Sequence, residues 1–218
     1  MKDLVAAFFG ARRQGKTTQV RQYLAAQQPR RLLIFDPMDE YGAHAGRVDS
    51  LKAMLGAARG DRSFALRYVP PRKVVVNVGE RDDELINRFD GFCSIALDAR
   101  RLLMVADELQ LVTLPGWSPP SWSECALRGG HDGIGVIGVA QRPALVDKNF
   151  FGNCNLVSTC RLNFDSDVAT MADVLAVDRA RLRALARYHY IGRNMDTGAL
   201  FDGVTRPPAR GQRVAASK

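Results

Sequence analysis

The chain has 218 residues, 46% of them hydrophobic, which suffices for one sizeable α/β core and is short for two full domains. A net charge of +8, a pI near 9.7 and an arginine-dominated basic content favour a polyanionic partner, although an arginine-rich proteome gives the same balance. Cys93, Cys125, Cys154 and Cys160 form no C-x-x-C pair and His44, His131 and His189 are scattered, so no zinc or redox motif can be assembled; no apolar stretch reaches a membrane span. Buried free thiols and a cytoplasmic location are expected.

In chain order, short apolar runs alternate with helical patterns, which predicts a mainly parallel sheet covered on both faces. Val5 to Phe9 reads as a first buried strand. The run "LVAAFFGA" resembles a signal-peptide core, but arginines and a phosphate-loop pattern follow where a cleavage site should be. A helix is expected from Gly15-Lys16-Thr17 to about Gln27, stopped by Pro29. "RLLIFDP" (31 to 37) is a second strand leading into an acidic loop, residues 48 to 59 read as helix, and "FALRYVP" (64 to 70) as a short strand. An amphipathic helix is expected from Glu80 to about Ala99.

"RLLMVADELQ" (101 to 110) is a further buried strand running into two carboxylates. The loop "LPGWSPPSW" follows, then a short helix ending at Gly129-Gly130. "IGVIGVAQRP" (134 to 143) and "NLVSTCRLN" (155 to 163) complete the core strands, and residues 165 to 187 are expected to be helical. "YHYIGRNMDTGALFDG" reads as a hairpin around Asp-Thr-Gly. Residues 1 to 205 are thus read as one domain, and 206 to 218 as a loose basic tail.

Gly10-Ala11-Arg12-Arg13-Gln14-Gly15-Lys16-Thr17 matches G-x-x-x-x-G-K-[ST], with an apolar strand before it and a helix after it. Such a loop wraps a polyphosphate with backbone N–H groups while the helix N-terminus points at the charge. Gly10 to Thr18 are the candidate nucleotide-binding residues; Lys16 reaches the terminal phosphates and Thr17 supplies a hydroxyl to Mg²⁺. A loop of this kind needs a second metal-orienting carboxylate on a neighbouring strand, and Asp107 supplies it. Glu108, one residue on, is placed to polarise an attacking water, and Gln141, closing "GVIGVAQRP", suits a sensor of the γ-phosphate. No N-K-x-D motif of a GTPase is present, and no acceptor motif of a small-molecule kinase is recognisable.

"GARRQGKTT", "LIFDPMDEYG", "LLMVADELQ" and "LRGGHDGIGVIGVAQRP" together resemble the HerA–FtsK branch of P-loop ATPases, particularly compact viral genome-packaging ATPases of the tectivirus type. The likeness spans roughly residues 4 to 165. It implies a RecA/ASCE-like three-layer α/β sandwich, with the hairpin and basic tail appended. It also implies an ATP- and Mg²⁺-dependent motor that forms a ring, usually hexameric, and moves double-stranded DNA, here into a capsid. Lys16 and Thr17 become the nucleotide pair, Asp107 the metal-orienting acid, Glu108 the catalytic glutamate and Gln141 the sensor.

The family's arginine from a neighbouring subunit falls on Arg128 first and on Arg142 second; a helix-end cation is the alternative for Arg128. Capsid or viral membrane proteins are further expected partners, with a host-cytoplasmic or virion location. The other reading is a nucleotide-gated assembly protein that moves no DNA, as in filamentous-phage relatives, which typically carry a membrane span. Arg12 and Arg13 depart from the small residues of many relatives and are expected to point outward or to lie near the phosphates.

Arg179, Arg183 and Arg187 recur every four residues and would stripe one helix face, either toward phosphates or toward solvent with Leu182 and Leu185 inward. Trp117 and Trp122 are read as loop anchors or as a ring contact, and Arg206, Arg210, Arg213 and Lys218 as a tail that touches DNA, a capsid or nothing.

Overall fold

The computed structural model describes residues 4–60, 62–71 and 82–205. Their strands form one sheet in the order β3-β4-β2-β5-β6-β1-β7-β8-β9. The strands are β1 (Val5–Phe9), β2 (Arg31–Phe35), β3 (Gly46–Val48), β4 (Phe64–Tyr68), β5 (Leu103–Ala106), β6 (Gly135–Ala140), β7 (Leu156–Cys160), β8 (His189–Asn194) and β9 (Leu200–Val204). The first seven run parallel. Strand β8 is antiparallel to β7 and β9 to β8, which closes the predicted hairpin at one sheet edge.

Seven helices connect these strands: α1 (Lys16–Gln27), α2 (Leu51–Ala58), α3 (Asp83–Ala99), α4 (Pro120–Arg128), α5 (Lys148–Asn153), α6 (Asp165–Leu175) and α7 (Arg179–Arg183). One face of the sheet packs Phe8, Ile34, Val105 and Val139 against Val20 and Leu24 of α1. The other packs Phe9, Phe35, Met104 and Val136 against Phe89, Phe92 and Trp122 from α3 and α4. Alternate residues of each central strand therefore enter opposite apolar layers, which is why these strands read as unbroken apolar runs. The three-layer sandwich is as expected.

Register places the functional ends together. Phe9 pairs with Ala140, Ala106 with Gly138 and Phe35 with Ala106, so Gly10, Asp36, Asp107 and Gln141 all leave the same edge of the sheet. Strand β5 is not a neighbour of β1, contrary to the sequence expectation; β6 lies between them. The insertion puts Gln141 between the phosphate loop and the two carboxylates.

Several boundaries differ from the sequence reading. Helix α2 begins only at Leu51, where Ser50 caps it by accepting the Ala53 N–H at 3.1 Å, and the three-residue β3 precedes it. Asp82 caps α3 in the same way; Glu80 and Arg81, expected inside that helix, lie outside the described residues, as does the tail from Arg206.

The single helix expected over 165 to 187 is two. Ala176 takes a left-handed conformation, φ 51°, and its N–H and that of Val177 return to carbonyls of α6, ending the helix without a glycine. The arginine stripe shortens to Arg179 and Arg183, because α7 ends at Arg183; both are exposed and Leu182 is turned inward. Arg183 pairs with Asp165 at 2.9 Å, and Arg187 lies beyond α7, donating to the Arg13 carbonyl at 3.3 Å.

Candidate nucleotide site

The phosphate loop joins β1 to α1 and is held from behind: Ala11 N–H donates to the Arg161 carbonyl at 2.9 Å, beyond the end of β7. Two glycines are required by their surroundings. Gly10 has φ +157° and a Cβ there would stand 2.8 Å from Cys160 Cβ; Gly15, the N-cap of α1, has φ +110° and a Cβ would stand 2.5 Å from Thr205 Oγ1. Arg12 and Arg13 are exposed. Arg13 holds a left-handed backbone, φ 63°.

Lys16 is buried at the first residue of α1, and its ammonium donates to Glu108 Oε1 at 3.2 Å. Burial works to lower its pKa, but Glu108 and then Asp107 outweigh it and hold the ammonium above its usual value. Glu108 sits at φ 56°, a left-handed turn that lifts its side chain off the end of β5. Gln141 Nε2 donates to both oxygens of that carboxylate, at 3.0 and 2.9 Å, and Gln110 Nε2 donates to Oε2. Gln110 in turn accepts the Gln141 backbone N–H at 3.2 Å, fixing the two amides to one another.

Asp107 is 1% exposed; its Oδ1 accepts the Glu108 N–H at 2.8 Å, and its Oδ2 is buried without a hydrogen-bond partner. Burial, and then the Glu108 charge, push its carboxyl up to about 8. In its ionised form, which a bound cation would favour, this buried oxygen suits the aqua shell of a divalent cation, with the half-buried Thr17 hydroxyl on the adjoining turn as the second protein ligand.

Lys16, Asp107, Glu108 and Gln141 therefore meet. Arg128 does not join them: it ends α4 on the exposed surface, and the turn Gly129–Asp132 leads from it to the start of β6, at the opposite edge of the sheet. Arg142 lies beside the site but is engaged, with Nε 2.5 Å from the buried Asp167 and its guanidinium 3.8 Å over the Phe164 ring. Trp122 is fully buried between Phe89 and Phe150, so it is core; Trp117 is half-buried in the loop before α4.

Four contributors escaped the sequence reading. Gln110 follows Glu108 by two residues, and only the turn after β5 returns it to the carboxylate. Tyr188 and Thr205, at the two ends of the hairpin, press on Gly15. Asp36 closes the acidic loop: it accepts the N–H groups of Glu40 at 2.8 Å and Tyr41 at 3.0 Å and pairs with Arg67 at 3.0 Å. The quoted "FDPMDEY" contained the signal for that turn but not for its arginine.

No family model and no curated protein matches the chain. Solved structures do. The genome packaging NTPase B204 from Sulfolobus turreted icosahedral virus 2, in complex with AMPPCP, superposes with a TM-score of 0.70 at 15% identity, over 93% of this chain and 97% of that one. B204 from Sulfolobus turreted icosahedral virus, a DNA-packaging ATPase, gives 0.67 at 16% identity over 93% and 98%. VirB4 of Thermoanaerobacter pseudethanolicus gives 0.70 at 10% identity over 93% and 90%. The fold is that of a P-loop NTPase, shared with these structures. In this P-loop fold the four converging side chains occupy the loop and strand ends at the carboxyl edge of the sheet, where α/β folds receive their ligands. No helix among the described residues is long and apolar enough to cross a membrane.

Proposed function

We propose that this chain hydrolyses ATP and uses the energy to translocate double-stranded DNA, packaging a viral genome into a capsid. The observation that carries the hydrolytic part is the Glu108 carboxylate, held at one time by the P-loop lysine and by the Gln141 amide. A kinase could use the same carboxylate, but it would also need an acceptor site, and no acceptor motif is recognisable in the sequence. The DNA-packaging part is supported by the likeness in fold to two packaging NTPases over nearly the whole chain and by the net charge of +8.

In this reading Gly10 to Thr18 cradle the phosphates, and Thr17 and Asp107 would hold Mg²⁺. The cation, when bound, neutralises charge on the β- and γ-phosphates. Lys16 leaves Glu108 for the phosphates, which frees the carboxylate. Glu108 then takes a proton from water as its oxygen bonds to the γ-phosphorus, and the bond to the β–γ bridging oxygen breaks, giving ADP and phosphate. Gln141 orients the carboxylate before that step and registers the loss of the γ-phosphate after it. A homo-oligomeric ring brings Arg128 of one subunit to the site of the next, and capsid or viral membrane proteins dock the ring in the host cytoplasm.

The test is ATP turnover with and without double-stranded DNA, together with displacement of a third strand from a triplex end. Turnover that rises with DNA and displaces the strand supports the motor. DNA-independent turnover without displacement overturns it. Tight nucleotide binding with negligible turnover establishes the nucleotide-gated assembly protein instead.

A further inference from the structure

Tyr41 ends the acidic loop after β2 and is fully buried, its ring packed in the layer that also holds Phe8, Val20, Val105 and Val139. Its backbone is fixed. The Tyr41 N–H donates to Asp36 Oδ2, and that carboxylate is itself locked by Glu40 N–H and by Arg67, whose guanidinium also bonds Asp39 and, at 3.1 Å, the Ala45 carbonyl. A buried ion pair therefore helps to set the position of this loop.

The Tyr41 hydroxyl, by contrast, has no hydrogen-bond partner among the described residues, and neither has Asp107 Oδ2. Among the carboxylates that act on the hydroxyl, Asp107 acts most strongly, ahead of Asp36, Glu40 and Glu108. Strands β2 and β5 are paired, Phe35 with Ala106, so the two loops leave the sheet side by side. A buried polar atom left unsatisfied is costly. Phenylalanine would fill the apolar part of the Tyr41 site without that penalty. Two orphan atoms on adjoining loops, one a donor and one an acceptor, are explained together if both are satisfied in the loaded site.

We propose that Tyr41 is a positioning residue for the metal-orienting carboxylate: its hydroxyl and Asp107 Oδ2 are joined through water when Mg²⁺–nucleotide binds, which fixes the carboxylate toward the cation. This rests on the site being a Mg²⁺–nucleotide site, and deepens that reading. Outer partners of a metal-binding carboxylate govern metal affinity about 10- to 100-fold while leaving the other ligands untouched. Among the described residues no hydrogen bond joins Tyr41 to Lys16, Glu108 or Gln141, so its effect is expected on the metal rather than on the nucleotide itself.

The experiment is binding of ATP-γ-S to wild type and Tyr41→Phe, first in EDTA and then titrated with Mg²⁺, with no turnover required. Wild type must bind more tightly as Mg²⁺ is added; if it does not, the Mg²⁺–nucleotide reading fails and the role of Tyr41 with it. Given that response, Tyr41→Phe is expected to keep its EDTA affinity within about twofold and to need about tenfold more Mg²⁺ for half of the tightening. An unchanged Mg²⁺ midpoint, with the melting temperature equal or raised, makes the hydroxyl a packing orphan and overturns the proposal.

Discussion

The Lys16 ammonium stands 3.2 Å from Glu108 Oε1, with side-chain exposures of 9% and 5%. Two charges so far from water hold each other in place, and neither is free to act until a phosphate replaces the partner. Glu108→Gln preserves shape and removes the base. We expect ATP turnover to fall about a hundredfold or more while nucleotide binding persists, because the lysine no longer has a carboxylate to leave. Steady-state turnover and binding of a non-hydrolysable analogue, measured on the same preparation, check it; undiminished turnover refutes the assignment.

Gln141 contributes two of the hydrogen bonds that Glu108 accepts, at 3.0 and 2.9 Å. Gln141→Ala leaves the carboxylate to Lys16 and Gln110 alone. Turnover should drop about a hundredfold with ATP affinity unchanged, since the amide orients the base without holding the nucleotide. A parallel loss of affinity would move Gln141 from the base to the phosphates.

Gly15→Ala tests the seat of the hairpin on the phosphate loop. Its backbone lies at φ +110°, and the added Cβ would meet Thr205 Oγ1 at 2.5 Å. The strain alone is about 1–3 kcal/mol, and the hydroxyl clash adds to it. Denaturant unfolding should therefore show a loss, of which Thr205→Ala in the double variant recovers only the part that comes from the clash. Full recovery would mean that the backbone is not strained.

Trp122 is fully buried, with its ring centroid 5.4 Å from that of Phe89 and 5.0 Å from that of Phe150. Trp122→Ala is expected to destabilise by about 3–5 kcal/mol. Trp122→Phe should cost much less, because the indole Nε1 has no partner to lose. Urea midpoints of the two variants decide the order.

Much of this site was legible in the sequence for a local reason. The phosphate loop is a contiguous pattern, and Asp107, Glu108 and Gln141 follow apolar runs that are continuous because both faces of β5 and β6 are covered. What the sequence hid is tertiary. The order of strands is not written along the chain, so nothing revealed that β6 separates β5 from β1. The break at Ala176 carries neither glycine nor proline, so the helical pattern ran straight through it. Gln110 returns to Glu108 only through the turn after β5, and an orphaned hydroxyl such as that of Tyr41 has no sequence signature at all.

The trans-acting arginine separates by what each candidate already holds. Arg142 is the partner of Asp167, a carboxylate 1% exposed that otherwise accepts only the Ala144 N–H at 3.2 Å. Arg142→Ala strands a buried charge and should destabilise the subunit by about 3–5 kcal/mol, with or without any role in turnover. Arg128 is exposed at the end of α4, so Arg128→Ala should leave the melting temperature unchanged. If Arg128 completes a neighbour's site, subunits carrying Arg128→Ala and subunits carrying Lys16→Ala are each inactive alone. Mixed, they form interfaces in which an intact Lys16 faces an intact Arg128, and DNA-stimulated turnover returns in part. A mixture that stays as inactive as its components removes Arg128 from the role.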